Sequence, residues 1–347
     1  MDSPRSVHPD DLRELGWSPA DDLRFADTPD GRRPGRVVIM HGRALELAWF
    51  PGDGPAVHDT FELGRDLNLR PVAGDWVAVQ DGRVVEVGPR RTALQRPDPN
   101  GKDTQVLAAN IDTIMIVQPI DRPLNLEAIE RLQVMAWDSG AAPVLVLTKS
   151  DGCPDIGAAL DQAGQAAPGV PVLVTSALDR QGLEELRSHL GPGTTTTMLG
   201  ASGVGKTSLL NALEGRNEQV QQVGAGGAGR HTTTTRRLFR TSAGGVLLDV
   251  PGIRSLDLLT TDEGVGETFA DITEAARHCR FRDCGHAGDR GCAVEEAVRD
   301  GSLPERRLES WRRIQREQAY QDRRNDPAAM AEQRKVWKQM CKEAKRR

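Results

Sequence analysis

Near the middle of this 347-residue chain the octapeptide Gly200-Ala201-Ser202-Gly203-Val204-Gly205-Lys206-Thr207 separates a strand pattern, Thr194–Leu199, from an apolar helical pattern, Ser208–Glu214. A glycine-rich turn in that context is a P-loop, and it commits its surroundings to strand–helix alternation. The alternation extends well upstream. Apolar runs at Thr113–Val117, Val144–Leu147 and Val172–Val174 are interleaved with helical patterns around Glu127–Trp137, Ile156–Ala166 and Leu183–Leu190. Such βαβ repetition predicts an α/β fold, a mostly parallel sheet with helices on both faces.

The P-loop residues carry a specific chemistry. Glycines 200, 203 and 205 let the backbone approach phosphates, and the N–H groups and helix N-terminus supply a positive field. Lys206 is expected to reach the β- and γ-phosphates and Thr207 to ligate Mg²⁺, with Ser208 closing the motif. Downstream, Asp249-Val250-Pro251-Gly252 follows the strand Val246–Leu248. Asp249 is placed to hold Mg²⁺ through water, and the Gly252 N–H to sense a γ-phosphate. Upstream, Thr148-Lys149-Ser150-Asp151 caps the strand Val144–Leu147 and resembles a guanine-reading motif. The Asp151 carboxylate can accept from the guanine N1–H and exocyclic amine, which adenine does not offer. The stem of Lys149 can lie along the base. Thr148 stands where Asn is usual, a departure expected to loosen the loop. Ser176-Ala177-Leu178, after Val172–Thr175, fits a second base-contacting loop through the Ala177 N–H.

The order of these signals is unusual. The base reader and second base loop precede the P-loop, whereas an ordinary small GTPase puts the P-loop first. Only Gly191–Gly193 would join the ordinary last helix to the P-loop strand, a short bridge between termini that often lie close together. The Asp249–Gly252 switch then leads directly into the C-terminal region.

Outside this core, residues 1–34 are rich in Asp, Pro and Arg and are expected to form a flexible arm with one short helix near Leu12–Leu15. Residues 35–98 show short strands at Arg36–Met40, Ala44–Trp49, Asp75–Gln80 and Arg83–Val87, with a tight-turn signal at Gln80-Asp81-Gly82-Arg83. They predict a small barrel, an OB-fold or an SH3-like alternative. The α/β domain is expected over 99–260 and a helical, charged domain over 261–347. The chain carries a net charge of −5, yet residues 305–347 hold 14 Lys/Arg against 7 Asp/Glu. A basic tail on an acidic body suits RNA or an acidic protein partner. No window approaches a membrane span, and the polar, acidic N-terminus is not a signal peptide, so a cytoplasmic monomer with no membrane partner is expected.

Five cysteines are present. Cys279, Cys284 and Cys292, with His286, fall within 14 residues in the spacing C-x4-C-x-H-x5-C. Three thiolates and one imidazole fill a tetrahedral Zn²⁺ shell with no open position, so one structural zinc per chain is expected. Arg280, Arg282 and Arg290 would lie on its surface, available to phosphate. Cys153 and Cys341 are isolated and receive no role.

Taken together, Gly74-Asp75-Trp76-Val77, Ala109-Asn110-Ile111-Asp112, Leu126-Glu127-Ala128-Ile129-Glu130-Arg131, Thr148–Asp151, Gly200–Ser208, Gly229-Arg230-His231-Thr232-Thr233-Thr234, Asp249–Gly252 and the Cys/His cluster resemble the circularly permuted GTPases of the RsgA (YjeQ) family, ribosome small-subunit-dependent GTPases. The resemblance spans residues 36–325. It implies an N-terminal OB-fold, a permuted GTPase domain, a zinc-containing helical domain, and binding to the 30S subunit and its 16S rRNA during late maturation.

Ras-like enzymes place a water-orienting Gln directly after the DxxG glycine; here that position is Ile253, so a low intrinsic rate and activation by a partner are expected. His231 in the Gly-rich loop is the in-chain candidate to replace that Gln, a role the resemblance supports. One of Thr232, Thr233 and Thr234 is expected to complete the Mg²⁺ shell. Gly203 stands where some potassium-activated GTPases have Asn, so that mode is not expected. Two further readings fit the residues: an RNA-binding checkpoint that rarely turns its nucleotide over, and an ATP-driven P-loop enzyme.

Overall fold

Residues 33–87 form β1 (Arg33–His41), β2 (Ala44–Trp49), β3 (Val57–Leu63), β4 (Trp76–Gln80) and β5 (Arg83–Val87). The structure, a computed structural model, describes residues 12–17, 32–41, 44–51, 56–65, 67–97, 104–215, 237–249 and 261–325. The five strands close in the order β1-β2-β3-β5-β4, with Arg36 of β1 opposite Trp76 of β4 and β3 parallel to β5. This Greek-key closure is OB-like. Val37, Leu45, Leu47, Val77, Val79 and Val84 fill the interior. The sequence reading lacked β3 for a physical reason. His58, Asp59 and Thr60 are consecutive exposed residues, and Phe61 alone of the strand is buried, so no period-2 signal develops.

After a two-stranded ribbon, β6 (Ala93–Pro97) and β7 (Thr104–Ala109), a six-stranded sheet is built from β8 (Thr113–Pro119), β9 (Ala142–Thr148), β10 (Val172–Val174), β11 (Thr195–Leu199), β12 (Arg237–Arg240) and β13 (Val246–Asp249). Its order is β10-β9-β8-β11-β13-β12, parallel except for the edge strand β12. Central β8 is buried from Ile114 to Val117, the continuous apolar run that a strand covered on both faces requires. The helices between strands are α1 (Leu126–Ser139), α2 (Ile156–Ala166), α3 (Leu183–Ser188) and α4 (Lys206–Glu214). Asn125 caps α1 through Ala128 N and Asp155 caps α2 through Ala158 N, satisfying N–H groups the helices leave open.

A polar seam ties the barrel to the sheet. The Arg36 guanidinium is fully buried, lies 4.7 Å from the Trp76 ring centroid, and donates to Leu15 O (3.2 Å), Gly16 O (3.4 Å), Asn110 O (3.0 Å) and Thr195 Oγ1 (3.1 Å). Asp112 accepts from Thr195 N at 2.7 Å and from Arg91 at 2.8 Å. Asn110 donates to Gly74 O and accepts from Arg91 N. Gly74, at φ +90°, leaves no room for a side chain: a Cβ there would stand 2.2 Å from Ala109 O. The motifs Gly74–Val77 and Ala109–Asp112 thus meet in this seam. So does part of the expected flexible arm. Leu12, Leu15 and Trp17, at and just after the expected short helix, are buried, and Trp17 packs edge-on against Trp76.

The chain divides into two compact units, residues 1–95 with 106–256, and 96–105 with 257–347. The second contains α5 (Asp262–Thr268), α6 (Ala270–Ala276), α7 (Ala293–Asp300) and α8 (Glu305–Asn325). Within it the buried Arg307 donates to Thr268 O and Asp271 and lies over Phe269. Among the described residues no helix is long and apolar enough to cross a membrane.

Candidate nucleotide site and metal centre

The sheet order puts the sequence-predicted loops at one edge. The loop carrying Thr148–Asp151 leaves the C-terminal end of β9, Ser176 follows β10, the P-loop follows β11, and Asp249 ends β13. From β8 the chain winds outward through β9 and β10, then returns to β11 on the other side. The crevice at such a reversal is where open α/β sheets bind ligands. Register fixes the rest: Thr197 of β11 pairs with Leu248 of β13, so Asp249 stands beside the strand that launches the P-loop.

The P-loop is packed tightly at its start. Gly200 has φ +155°, and a Cβ there would lie 2.5 Å from Val117 O. Lys206 Nζ donates to Gly200 O (2.7 Å) and Ala201 O (2.9 Å), so the amine is held over the loop it would neutralise. Burial pushes its pKa below the usual lysine range, and the nearby Asp249 carboxylate opposes that shift. Thr207 is exposed in the first turn of α4.

Thr148 does the opposite of loosening the loop. Its buried hydroxyl donates to Val204 O at 2.5 Å, a direct staple from the base loop to the P-loop. Lys149 adopts a left-handed backbone (φ 60°), and its amine meets Asp121 Oδ2 at 2.9 Å. Burial draws the Asp121 carboxyl upward, but the hydrogen bonds from Lys149 and Arg122 outweigh it and hold the group below the usual carboxylate range. Ser176 Oγ donates to Asp151 Oδ1 at 2.6 Å and accepts from Asp179 N at 3.0 Å. The Asp151 carboxylate is thereby oriented while its remaining lone pairs can still accept. Sequence reasoning assigned the Ser176 loop only a backbone contact and missed Asp121. The strand-to-loop position of Asp121 after β8, level with the base reader after neighbouring β9, was the available signal. His231, Thr232, Thr233, Thr234, Gly252 and Ile253 lie outside the described residues.

In the second unit, ligand atoms of Cys279, Cys284, His286 and Cys292 lie within 4.8 Å of one another. A tetrahedral zinc shell has edges of about 3.8 Å between sulfurs and about 3.5 Å from sulfur to nitrogen, given metal–ligand distances near 2.3 and 2.0 Å. Cys279 and Cys292 Sγ are 4.0 Å apart, and His286 Nδ1 lies 3.6 and 3.3 Å from them, so the residues fit such an ion. The protonation chemistry points the same way. Desolvation and the neighbouring Cys292 and Cys279 push the Cys284 thiol up to about 12 against the lowering hydrogen bond from the His286 N–H. Desolvation also raises Cys279, but N–H groups of Val294 and Ala293 at the start of α7 outweigh it and lower its pKa. Burial lowers His286, favouring the neutral, ligating imidazole. Trp311 packs on the His286 ring and Arg312 donates to His286 O, fastening α8 to the cluster. The cluster can hold a metal.

Comparison with known proteins agrees with this geometry. The RsgA GTPase family model matches residues 87–259. A protein of Streptomyces coelicolor named small ribosomal subunit biogenesis GTPase RsgA is 42% identical, over 94% of this chain and 92% of its own length. One of the same name from Methanosarcina acetivorans is 38% identical, over 92% and 88%. The crystal structure of YjeQ from Thermotoga maritima superposes with a TM-score of 0.62 at 28% identity, covering 83% of this chain and 99% of that one. YloQ, described as a circularly permuted GTPase, shares the fold with a TM-score of 0.61 at 23% identity, covering 88% and 99%. The chain therefore belongs to the RsgA family of GTPases, enzymes that hydrolyse GTP, in the circularly permuted form with an N-terminal OB-like barrel and a Cys₃His cluster in its C-terminal helices.

Proposed function

We propose that this chain hydrolyses GTP on the small ribosomal subunit, that the 30S particle stimulates the reaction, and that turnover assists late maturation and release. The observation that carries the reading is the convergence of Asp151, Ser176, Thr148 and the P-loop at the C-terminal ends of adjacent parallel strands. The subunit enters through the names of the relatives, which are small ribosomal subunit biogenesis GTPases.

In this reading Asp151 accepts from the guanine N1–H and amine, with Ser176 holding the carboxylate and the Ala177 N–H donating to the base. Lys149, tethered by Asp121, lies along the ring, with Thr148 and Ser150 shaping the loop. The backbone of Gly200 to Gly205 and Ser208 surround the phosphates, and Lys206 leaves its carbonyl partners to neutralise charge that develops on the transferred phosphoryl group. Thr207 and, through water, Asp249 would hold Mg²⁺, which when bound neutralises phosphate charge. The Gly252 N–H senses the γ-phosphate. With Ile253 unable to orient water, His231 takes that task on the subunit. The Cys₃His cluster holds one structural Zn²⁺, since thiolates and a neutral imidazole suit that ion. The barrel region, 35–98, and the basic helical region, 261–347, contact 16S rRNA, and the GTPase region, 99–260, turns over the nucleotide, in a cytoplasmic monomer.

The test is GTP and ATP turnover with 30S, 50S and 70S particles added separately. Stimulation of GTP turnover by 30S alone is expected, and H231A should remove most of it while sparing GTP affinity. Intact 30S binding with no stimulation would favour an RNA-binding checkpoint instead. An unchanged preference in D151N would favour an ATP-driven enzyme.

A further inference from the structure

Between the first two cysteines of the cluster the chain runs Arg280-Phe281-Arg282-Asp283. Phe281 is 48% exposed. This ring does not serve the core of its unit, which is filled by residues such as the buried Phe269, Ile272 and Val294. The turn that presents it is nonetheless well fixed. Arg280 N donates to Gly291 O at 3.0 Å and Cys284 N to Phe281 O at 3.4 Å, and Cys279 and Cys284 anchor it on both sides. The Arg280 guanidinium carbon lies 5.4 Å from the Phe281 ring centroid. Arg282 and Arg290 are also exposed around the cluster, against Asp283 and Asp289, while Arg277 is paired with Glu274.

An exposed aromatic face beside guanidinium groups on a rigid turn has the composition of a base-stacking platform. The ring offers a π-face to any base, and the arginines meet the adjoining phosphates. A paired base in an A-form helix is not open to such a ring, whereas an unstacked nucleotide in a loop or bulge is. We propose that Phe281 is a stacking site for an unpaired nucleotide of the small subunit's RNA, with Arg280 and Arg282 holding its backbone. The Arg280 and Arg282 guanidiniums flanking the ring in sequence favour RNA, with its phosphates, over a protein partner. The proposal rests on the reading that this chain binds the small subunit, and it names the residue and the kind of nucleotide contacted.

The experiment compares wild type, F281A and F281W as full-length, metal-loaded proteins. Binding is measured to 30S particles and, separately, to a short single-stranded oligouridine. Loss of a stacked base should weaken binding by about 5- to 100-fold in F281A, while F281W stays within about threefold of wild type. The indole introduced by F281W should be quenched by the oligouridine. Bound metal and basal GTP turnover should be unchanged in both variants. Chemical probing of the subunit should show an unpaired base protected by wild type and exposed with F281A. Equal affinity of F281A and wild type for both RNAs overturns the proposal. So does a loss on 30S with no change in base protection, which would indicate a protein contact. If wild type binds oligouridine through Phe281 but does not bind 30S, the subunit assignment fails and the stacking site stands.

Discussion

Replacing Arg36 by methionine tests the seam that joins barrel, N-terminal turn and sheet. Methionine retains most of the apolar stem but donates nothing. Three buried carbonyls, of Leu15, Gly16 and Asn110, and the Thr195 hydroxyl would lose a charged donor. An orphaned buried acceptor costs about 1–3 kcal/mol. Leu15 O and Gly16 O share one nitrogen at 3.2 and 3.4 Å, so they count as one. Carbonyls also keep a second lone pair, so the lower part of the range applies. Three contacts then give about 3–5 kcal/mol, in line with the cost of breaking a buried ionic contact. Thr195→Val removes one acceptor and leaves Arg36 bonded to Asn110 O, so it should cost about 1 kcal/mol. The assay is urea unfolding followed by tryptophan fluorescence, to which Trp17 and Trp76 contribute from the seam itself. With a slope of about 2–3 kcal/mol per molar urea, the Arg36→Met midpoint should fall by about 1–2 M. Amides of Leu15, Gly16 and Trp17, hydrogen-bonded within their turn, should exchange faster. A midpoint shift below about 0.3 M, or equal losses in the two variants, would refute the view that this guanidinium holds the seam.

Other perturbations probe the two sites. Thr148→Val deletes the staple to Val204 O, worth about 1–2 kcal/mol, so GTP and GDP affinities should fall about 5- to 30-fold, chiefly through faster release of a fluorescent nucleotide; unchanged release would exclude the staple. Stripping metal with a chelator, or Cys292→Ser, should remove one bound ion per chain and abolish amide protection in α7 and α8, because the cluster anchors both; exchange in the parallel sheet should be untouched, and full protection of α7 without metal would contradict a structural role.

Much of this molecule could be read before any coordinates. Strand–helix alternation from Thr113 to Leu199 follows from periodicity, because a parallel strand covered on both faces must be apolar throughout and a surface helix only on one side. The sequence positions of β10 and α2 coincide with their observed bounds, and the strand read as Thr194–Leu199 starts one residue later, at Thr195. The Cys/His spacing likewise announced a cluster, since four ligands within 14 residues can close around one ion without help from the rest of the chain. What spacing cannot carry is contact between distant residues. β3 escaped notice because its polar face is solvated, and the burial of Leu12, Leu15 and Trp17 could not be read because their partners lie elsewhere in the sequence.

The sequence by itself determined the family of fold, the phosphate loop, the base reader and their permuted order, all of which are local patterns of residue type. Only the tertiary structure decided how those parts are joined. Thr148 is separated from Val204 by 56 positions and Arg36 from Thr195 by 159, and in each case a single buried hydrogen bond makes the connection. A hydroxyl that looked like a defect in a motif became a staple, and an arginine with no motif at all became the centre of a seam, because a buried donor must find its acceptor wherever the fold brings one.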